Sequence, residues 1–514
     1  MAVSEVNSGP GTDGSDGGTG TRAGTDEGTG TRAGADGGTG TDLHLDLPST
    51  GSRRAALLHA LRSAVRSGRL APGTLLPPYR ALAADLGIAR NTVAEAYAEL
   101  VAEGWLVARQ GSGTRVAERT VPASPVRVPK RSPAREASAR KPAARARGPR
   151  FDLRQGQPDP ASFPRTAWVA SVRRAVNAAP HEAFGPAAPQ GRIELRTALA
   201  EYLARARGVR TSPERIVICA GFAHALRLLF GGAGGSGAGV LRGPLAVEEY
   251  GLAFHRALLG AAAVRTVPLP LDEQGARTGE LGSERAVLLS PAHQFPTGGP
   301  LHAERRAAAV DWARARGGLV LEDDYDGEFR YDRRPVGAVQ GLDPERVVYL
   351  GSVSKSLSPA LRLGWMVLPD HLVDDVLRVK GEREAWTGVT DQLALADFLE
   401  CGSYDRHVRR MRLRYRRRRD RLVRALTERA PHIPVTGVAA GLHAVLRLPP
   451  GTEPSTLKAA RWQGLALDGL ADFRHPEARG PLREGLVVGY ATPPEHAYPA
   501  AVDALCAALP PNGS

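Results

Sequence analysis

Cysteine is almost absent from this 514-residue chain: Cys219, Cys401 and Cys506 stand far apart and form no CxxC pair. That scarcity argues against a zinc site or a disulfide framework and fits a reducing cytosol. The N-terminus lacks the apolar core of a signal peptide, and no uninterrupted apolar run is long enough to span a bilayer. The expectation is a soluble, cytoplasmic protein with no metal and no membrane partner. Acids are also in deficit, with 54 Asp and Glu against 68 Lys and Arg, a formal charge of +14. Such a balance suggests a polyanionic partner, although a solvated basic surface gives the same count.

The length implies about three units. Residues 1–50 are mostly Gly, Thr, Asp and Ala, and Gly18-Thr-Gly-Thr-Arg-Ala-Gly24 returns as Gly28-Thr-Gly-Thr-Arg-Ala-Gly34. Such a segment cannot bury enough surface to offset the entropy of ordering, so disorder is expected. Residues 119–150 hold ten Arg or Lys and one acid, Glu136, among Pro and Ala. This is a linker composition, either a basic arm along DNA phosphates or a solvated tether. Between these segments, residues 51–118 read as three short helices and a hairpin. Leu57, Leu58, Leu61 and Val65 share helical spacing, Gly87 closes the second helix, and Val93, Tyr97, Leu100 and Val101 share a face of the third. Gln110-Gly-Ser-Gly113 joins two strands. From residue 151 to 514 short apolar strands alternate with amphipathic helices, which predicts a mostly parallel α/β sheet covered on both faces. A smaller α+β lobe is expected at the C-terminal end.

Two helices, a tight turn and a two-stranded wing make a winged helix-turn-helix, whose second helix enters the major groove. Arg90, Asn91 and Thr92 lie where that helix would meet base edges and phosphate, Arg80 begins the helix before it, and the wing tip offers Arg109, Gln110, Gly111, Ser112 and Thr114. The stretches Leu70-Ala-Pro-Gly-Thr-Leu-Leu-Pro-Pro78, Arg80-Ala-Leu-Ala-Ala-Asp-Leu-Gly87, Arg90-Asn-Thr-Val93 and Gly111-Ser-Gly-Thr114 resemble the GntR family of regulators. Tyr79 departs from the pattern, which has Ser or Thr there.

In the second half, Leu319 to Leu321 runs into Glu322-Asp-Asp-Tyr-Asp326, and Val347 to Leu350 into Gly351-Ser-Val-Ser-Lys-Ser-Leu357. An acid run at the end of a buried strand is costly unless a cation or protonated ring partners it. A pyridoxal phosphate site needs a lysine, an acid for the ring nitrogen, a donor to the phenolate oxygen and an anion cradle. Lys355, the acid run, Arg362 with Ser352, and Gly221-Phe222-Ala223 at a strand-to-helix turn supply candidates. Together with Gly191-Arg192, Ser290-Pro-Ala-His-Gln-Phe-Pro-Thr-Gly298 and Gly441-Leu-His443, this region resembles fold-type-I aminotransferases, and most closely the MocR family, which joins such a domain to a GntR head.

The resemblance implies pyridoxal 5'-phosphate as cofactor, Lys355 as the Schiff-base lysine, Asp323 on the pyridine nitrogen and Tyr325 on the phenolate oxygen. Ser352, Arg362 and the Gly221 loop would hold the phosphate, and His293 and Phe295 would line the pocket. It implies a head-to-tail homodimer on a double-stranded DNA operator. Two departures follow. Where the family often has a Pro-Gly-Tyr turn, this chain has Glu248-Glu-Tyr-Gly-Leu252, with Tyr250 as a substitute. Thr492 occupies the place of the arginine that forks a substrate carboxylate in amino-acid-responsive relatives. The reading is therefore a regulator rather than an enzyme, sensing pyridoxal phosphate itself in the manner of the PdxR-like branch that controls vitamin B6 synthesis. The alternatives are a regulator answering an amino acid or amine, and an aminotransferase with an incidental DNA-binding extension. A further run, eleven arginines within 406–424 on a long helix, is either a second DNA contact or a solvated face.

Overall fold

In a computed structural model, the chain divides into two compact units, Met1–Lys141 and Pro142–Ser514. The described residues are 45, 47, 51–109, 111–118, 149–186, 188–232, 239–331, 336–381 and 387–512. The N-terminal repeat, nearly all of the basic linker and Gln110 lie outside them.

The first unit is a winged helix. Helices α1 (Arg53–Arg66), α2 (Tyr79–Leu86) and α3 (Arg90–Ala102) precede strands β1 (Leu106–Arg109) and β2 (Gly113–Val116), which pair antiparallel. The helical spacing noted above becomes one core: Leu57, Leu61, Leu82, Val93, Tyr97 and Leu100 are all buried together. Tyr97 satisfies its hydroxyl by donating to the Pro77 carbonyl, as a buried phenol requires. Gly87 adopts φ 61° after α2, the left-handed turn that glycine supplies at least cost.

In the second unit, seven strands form the main sheet: β3 (Ile216–Cys219), β4 (Leu245–Glu248), β5 (Thr266–Leu269), β6 (Ala286–Leu289), β7 (Leu319–Asp324), β8 (Val347–Ser352) and β9 (Gly364–Val367). Their order is β3-β9-β8-β7-β6-β4-β5. The pairs among β8, β7, β6, β4 and β5 are parallel, and β9 runs antiparallel to both neighbours. Strands such as Ile216-Val-Ile-Cys219 are buried throughout, as a sheet covered on both faces demands. Among the covering helices are α4 (Arg165–Ala178), α5 (Ile193–Arg207), α6 (Phe222–Phe230), α7 (Ala253–Ala261) and α8 (Ala303–Arg316). Helices α9 (Asp370–Lys380), α10 (Val389–Glu400) and the 27-residue α11 (Ser403–Arg429) lead to the smaller lobe. That lobe is an antiparallel sheet containing His443–Arg447 and Gly485–Gly489, packed with helices α12 (Glu453–Trp462) and α13 (Tyr498–Ala508). The chain enters this unit beside the same lobe: Phe151–Asp152 pairs parallel with Leu465–Ala466. No helix among the described residues is long and apolar enough to cross a membrane.

Candidate functional site

On the winged helix, most of the sequence-predicted contact residues are open to solvent. Arg80, Arg90, Asn91 and Arg109 are exposed, as are Gly111 and Ser112, while Thr92 and Thr114 are half-buried. Ala89 caps α3 without a side-chain acceptor, so the first amides of that helix remain available to an anion. Tyr79 has a visible role: the Arg90 guanidinium lies 5.3 Å from its ring centre and 3.5 Å from its hydroxyl. The two neighbouring cations, Arg90 first and then Arg80, draw the Tyr79 hydroxyl below its usual pKa. An aromatic platform thus holds the leading arginine of α3.

The second site is a cavity of about 290 Å³ at the carboxyl ends of the main-sheet strands, where open α/β sheets bind ligands. Side chains alternate across a strand, and this sorts the acid run of β7. Glu322 turns away from the cavity and accepts the backbone amides of Val339 and Gln340 at 2.9 Å each; burial pushes it up to about 7. Asp324, on the same face, forks with Arg207 at 2.6 and 3.0 Å and accepts from the Tyr349 hydroxyl at 2.7 Å. Asp326 meets His293 Nδ1 at 2.8 Å. Asp323 faces the cavity instead, and no hydrogen-bond donor reaches its carboxylate among the described residues. Burial, then the charges of Asp324 and Asp326, hold its pKa well above the carboxylate range.

Lys355 enters the same cavity just past β8 and donates to the Gly156 carbonyl. Burial lowers the pKa of its amine, which favours the neutral, nucleophilic form. Arg362 adopts a left-handed backbone (φ 52°) and donates to the Ala220 carbonyl. Its guanidinium would lie 3.5 Å from a side chain placed at Gly221. It therefore stands at the start of α6, where Phe222 and Ala223 also line the cavity. A fixed cation, a helix N-terminus and Ser352 with Ser354 thus meet at one end of the cavity, the kinds of group that bind an anion. Tyr325 and Phe295 line the wall edge to face, with centroids 6.0 Å apart.

Two predicted residues take other places. His293 is not on the cavity wall; it lies behind Tyr325, whose hydroxyl is 3.1 Å from its Nδ1, and joins it to Asp326. Gly221 shapes the helix start from behind Arg362. Tyr250 does line the cavity, but its hydroxyl accepts the Arg483 amide at 3.2 Å and the residue is otherwise buried. Among the wall residues that sequence reasoning missed are Gln155, Gly156, Glu248, Phe254, His255 and Arg256. His255 packs on Phe222 with ring centroids 4.6 Å apart, and burial, then Lys355 and Arg256, depress it to about 4. Glu248, pushed by burial up to about 7, accepts the Ser290 amide at 3.1 Å; it was visible only as a strand-end acid. Thr492 lies off the cavity, donating to the carbonyls of Arg154 and Gln157 at 3.3 and 3.1 Å.

Residues 54–116 match the model for bacterial regulatory proteins of the gntR family, and residues 151–471 that for class I and II aminotransferases. The chain is 33% identical over 466 residues to the probable rhizopine catabolism regulatory protein MocR of Rhizobium meliloti, covering 87% of this chain and 92% of that protein. It is 32% identical over 393 residues to the pyridoxine biosynthesis transcriptional regulator PdxR of Corynebacterium glutamicum, covering 76% and 82%. A kynurenine aminotransferase of Pyrococcus horikoshii shares the fold of the second unit, with a TM-score of 0.61, 24% identity, and coverage of 70% of this chain and 90% of that one. The chain thus belongs to the MocR-type regulators, gntR-family proteins in which a winged helix is fused to an aminotransferase-like domain of fold type I.

Proposed function

We propose that this protein is a DNA-binding transcription regulator whose second unit binds pyridoxal 5'-phosphate and reports its availability, with the genes of vitamin B6 synthesis as target. The observation that carries the cofactor reading is the pairing, in one cavity, of a carboxylate without a donor among the described residues and a half-buried lysine beside an anion cradle. Asp323 is the acid of its run that has no hydrogen-bond partner among the described residues, so a protonated ring nitrogen would supply the missing donor. Lys355, with its pKa lowered by burial, offers a neutral amine. Arg362, Ser352 and the first turn of α6, from Gly221 through Phe222 and Ala223, would take the phosphate. Tyr325, braced by His293, would donate to the phenolate oxygen. Phe295 and Tyr250 complete the wall. Bound pyridoxal phosphate supplies an electrophilic carbonyl carbon and a visible chromophore.

The sensing role rests on Thr492. Its hydroxyl is committed to two backbone carbonyls, and it cannot fork a carboxylate as arginine does. A transaminase substrate would find no cation at this position, which favours the cofactor itself as signal and a regulator over an enzyme. The PdxR relative, named for pyridoxine biosynthesis, supports the same target. An amine or amino acid as effector is the second reading, supported by the MocR relative, named for rhizopine catabolism. On the DNA side we assign Arg80, Arg90, Asn91, Thr92, Arg109, Gly111, Ser112 and Thr114 to the operator contact, with Gln110 beside them in sequence. The working form would be a cytoplasmic homodimer whose two heads read a double-stranded site.

The test is paired. Binding of the chain to DNA from upstream of its own and neighbouring genes is measured with and without pyridoxal phosphate, for wild type and Lys355→Ala. The reading expects the cofactor to change affinity or footprint in wild type only. Identical binding in all four cases overturns it. A visible spectrum that common amino acids shift at micromolar concentration would transfer the sensing role to the amine reading.

A further inference from the structure

The eleven arginines between residues 406 and 424 are not equivalent once folded. Helix α11 buries Tyr404, Val408, Met411, Tyr415, Leu422 and Leu426, and several arginines serve that packing. Arg418 is buried and donates to the carbonyls of Tyr490 and Ala491 and to Glu495. Arg414 spans Asp159 and Glu495, Arg412 holds the Glu328 carbonyl, and Arg429 pairs with Asp503. Arg417, Arg421 and Arg424 do none of this. They are exposed and have no carboxylate within ion-pair distance among the described residues.

Their spacing, i, i+4 and i+7, places them in a single row. The row lines a groove against α13 with Tyr498, Pro499 and Val502. The acids of that groove are largely spoken for: Glu495 and Asp503 by the pairs above, and Asp420 by Arg416 at 3.9 Å. Glu428 remains against three cations. Like charges one turn apart repel, so the row is stabilised by an external anion. Guanidinium forks suit phosphate better than point charges do. Seven residues of helix span about 10 Å, matching about three phosphates of one duplex strand along its axis.

We propose that Arg417, Arg421 and Arg424 form a second contact with duplex DNA, holding the sugar-phosphate backbone outside the stretch taken by the winged helix. The inference rests on the reading of the protein as a DNA-binding regulator. It makes the aminotransferase-like unit a phosphate-binding surface in addition to a cofactor sensor, and it carries no sequence preference.

The experiment uses the full chain, a mixed-sequence duplex of about 60 base pairs, and fluorescence anisotropy from about 50 to 200 mM salt. Wild type is compared with the triple variants Arg417→Ala/Arg421→Ala/Arg424→Ala and Arg417→Lys/Arg421→Lys/Arg424→Lys, each checked for an unchanged melting profile. Three lost phosphate contacts reduce the slope of log affinity against log salt by about 2.7, so the advantage of wild type over the alanine variant shrinks about fortyfold across that range. The lysine variant retains most of the slope. An alanine variant with the wild-type slope overturns the second contact and leaves the winged-helix reading intact. A wild type that binds no duplex even at the lowest salt overturns both.

Discussion

Arg207 and Asp324 supply the most demanding test of the architecture behind the cavity. Both side chains are nearly inaccessible, at 6% and 2%. The guanidinium forks the carboxylate and also donates to the Gly327 carbonyl. Arg207→Met removes the cation and strands a buried carboxylate with, among the described residues, only the Tyr349 hydroxyl as donor. Removing one partner of a buried pair costs about 3–5 kcal/mol, which for a unit of this size lowers Tm by roughly 4–6 °C. Adding Asp324→Asn removes the uncompensated charge, so the double variant recovers at least about 2 kcal/mol relative to the sum of the two single changes. Calorimetry of the full chain, following the transition of the second unit, measures the cycle. The same variants should release pyridoxal phosphate more readily, because Asp323 is the next residue on the strand and loses its brace. A double variant whose loss equals the sum of the singles would show that the pair is not coupled, and the account of the acid run would fail.

The remaining predictions are simpler. The initial rate of pyridoxal phosphate capture, followed by stopped-flow absorbance, should climb with pH and level off below pH 10.5, because burial lowers the Lys355 pKa from that value and the neutral amine is the reactive form; a rate still rising tenfold per unit past pH 10.5 would contradict it. His407 is placed near Ser356 O at 2.8 Å and the Arg410 guanidinium at 3.1 Å, and burial depresses it to about 4. A base with a lowered folded pKa contributes stability that is complete above about pH 6.5 and lost toward pH 4, so His407→Gln should flatten the acid dependence of unfolding by up to about 1.4 kcal/mol per pH unit. Tyr79→Ser should release Arg90 from its platform and weaken operator binding by about 1 kcal/mol, read by anisotropy, whereas Tyr79→Phe keeps the ring and most of the affinity. Arg109→Ala should reduce the salt slope of DNA binding by about 1 if the wing holds one phosphate.

Much of this molecule was legible because its chemistry is written in short runs. The three helices and wing needed only helical spacing and glycine stops, and the lysine loop and acid run each lie within one strand end. What stayed hidden was what tertiary packing decides. Which of Glu322, Asp323, Asp324 and Asp326 faces the cavity depends on the strand's pleat and on Arg207, 117 positions from Asp324. His293 carried a pocket-like motif, yet the turn that contains it sends the ring toward Asp326. Gly156 contributes a carbonyl, and a backbone acceptor leaves no trace in side-chain identity. His255 and Phe222 meet from different helices, so neither spacing nor composition announced their contact.

The residues that open the second unit have a consequence of their own. Phe151 and Asp152 are stitched to the small lobe, Leu153 accepts the Gly489 amide, Thr492 fastens Arg154 and Gln157, and Gly156 accepts from the Lys355 amine. Gln155 and Gly156, in the segment that opens the second unit, therefore line the wall of the proposed cofactor cavity. On the proposed reading, a change in what Lys355 holds would alter this opening segment within a few residues, without having to cross the sheet. News of the cofactor would leave the cavity by the same segment through which the chain came in.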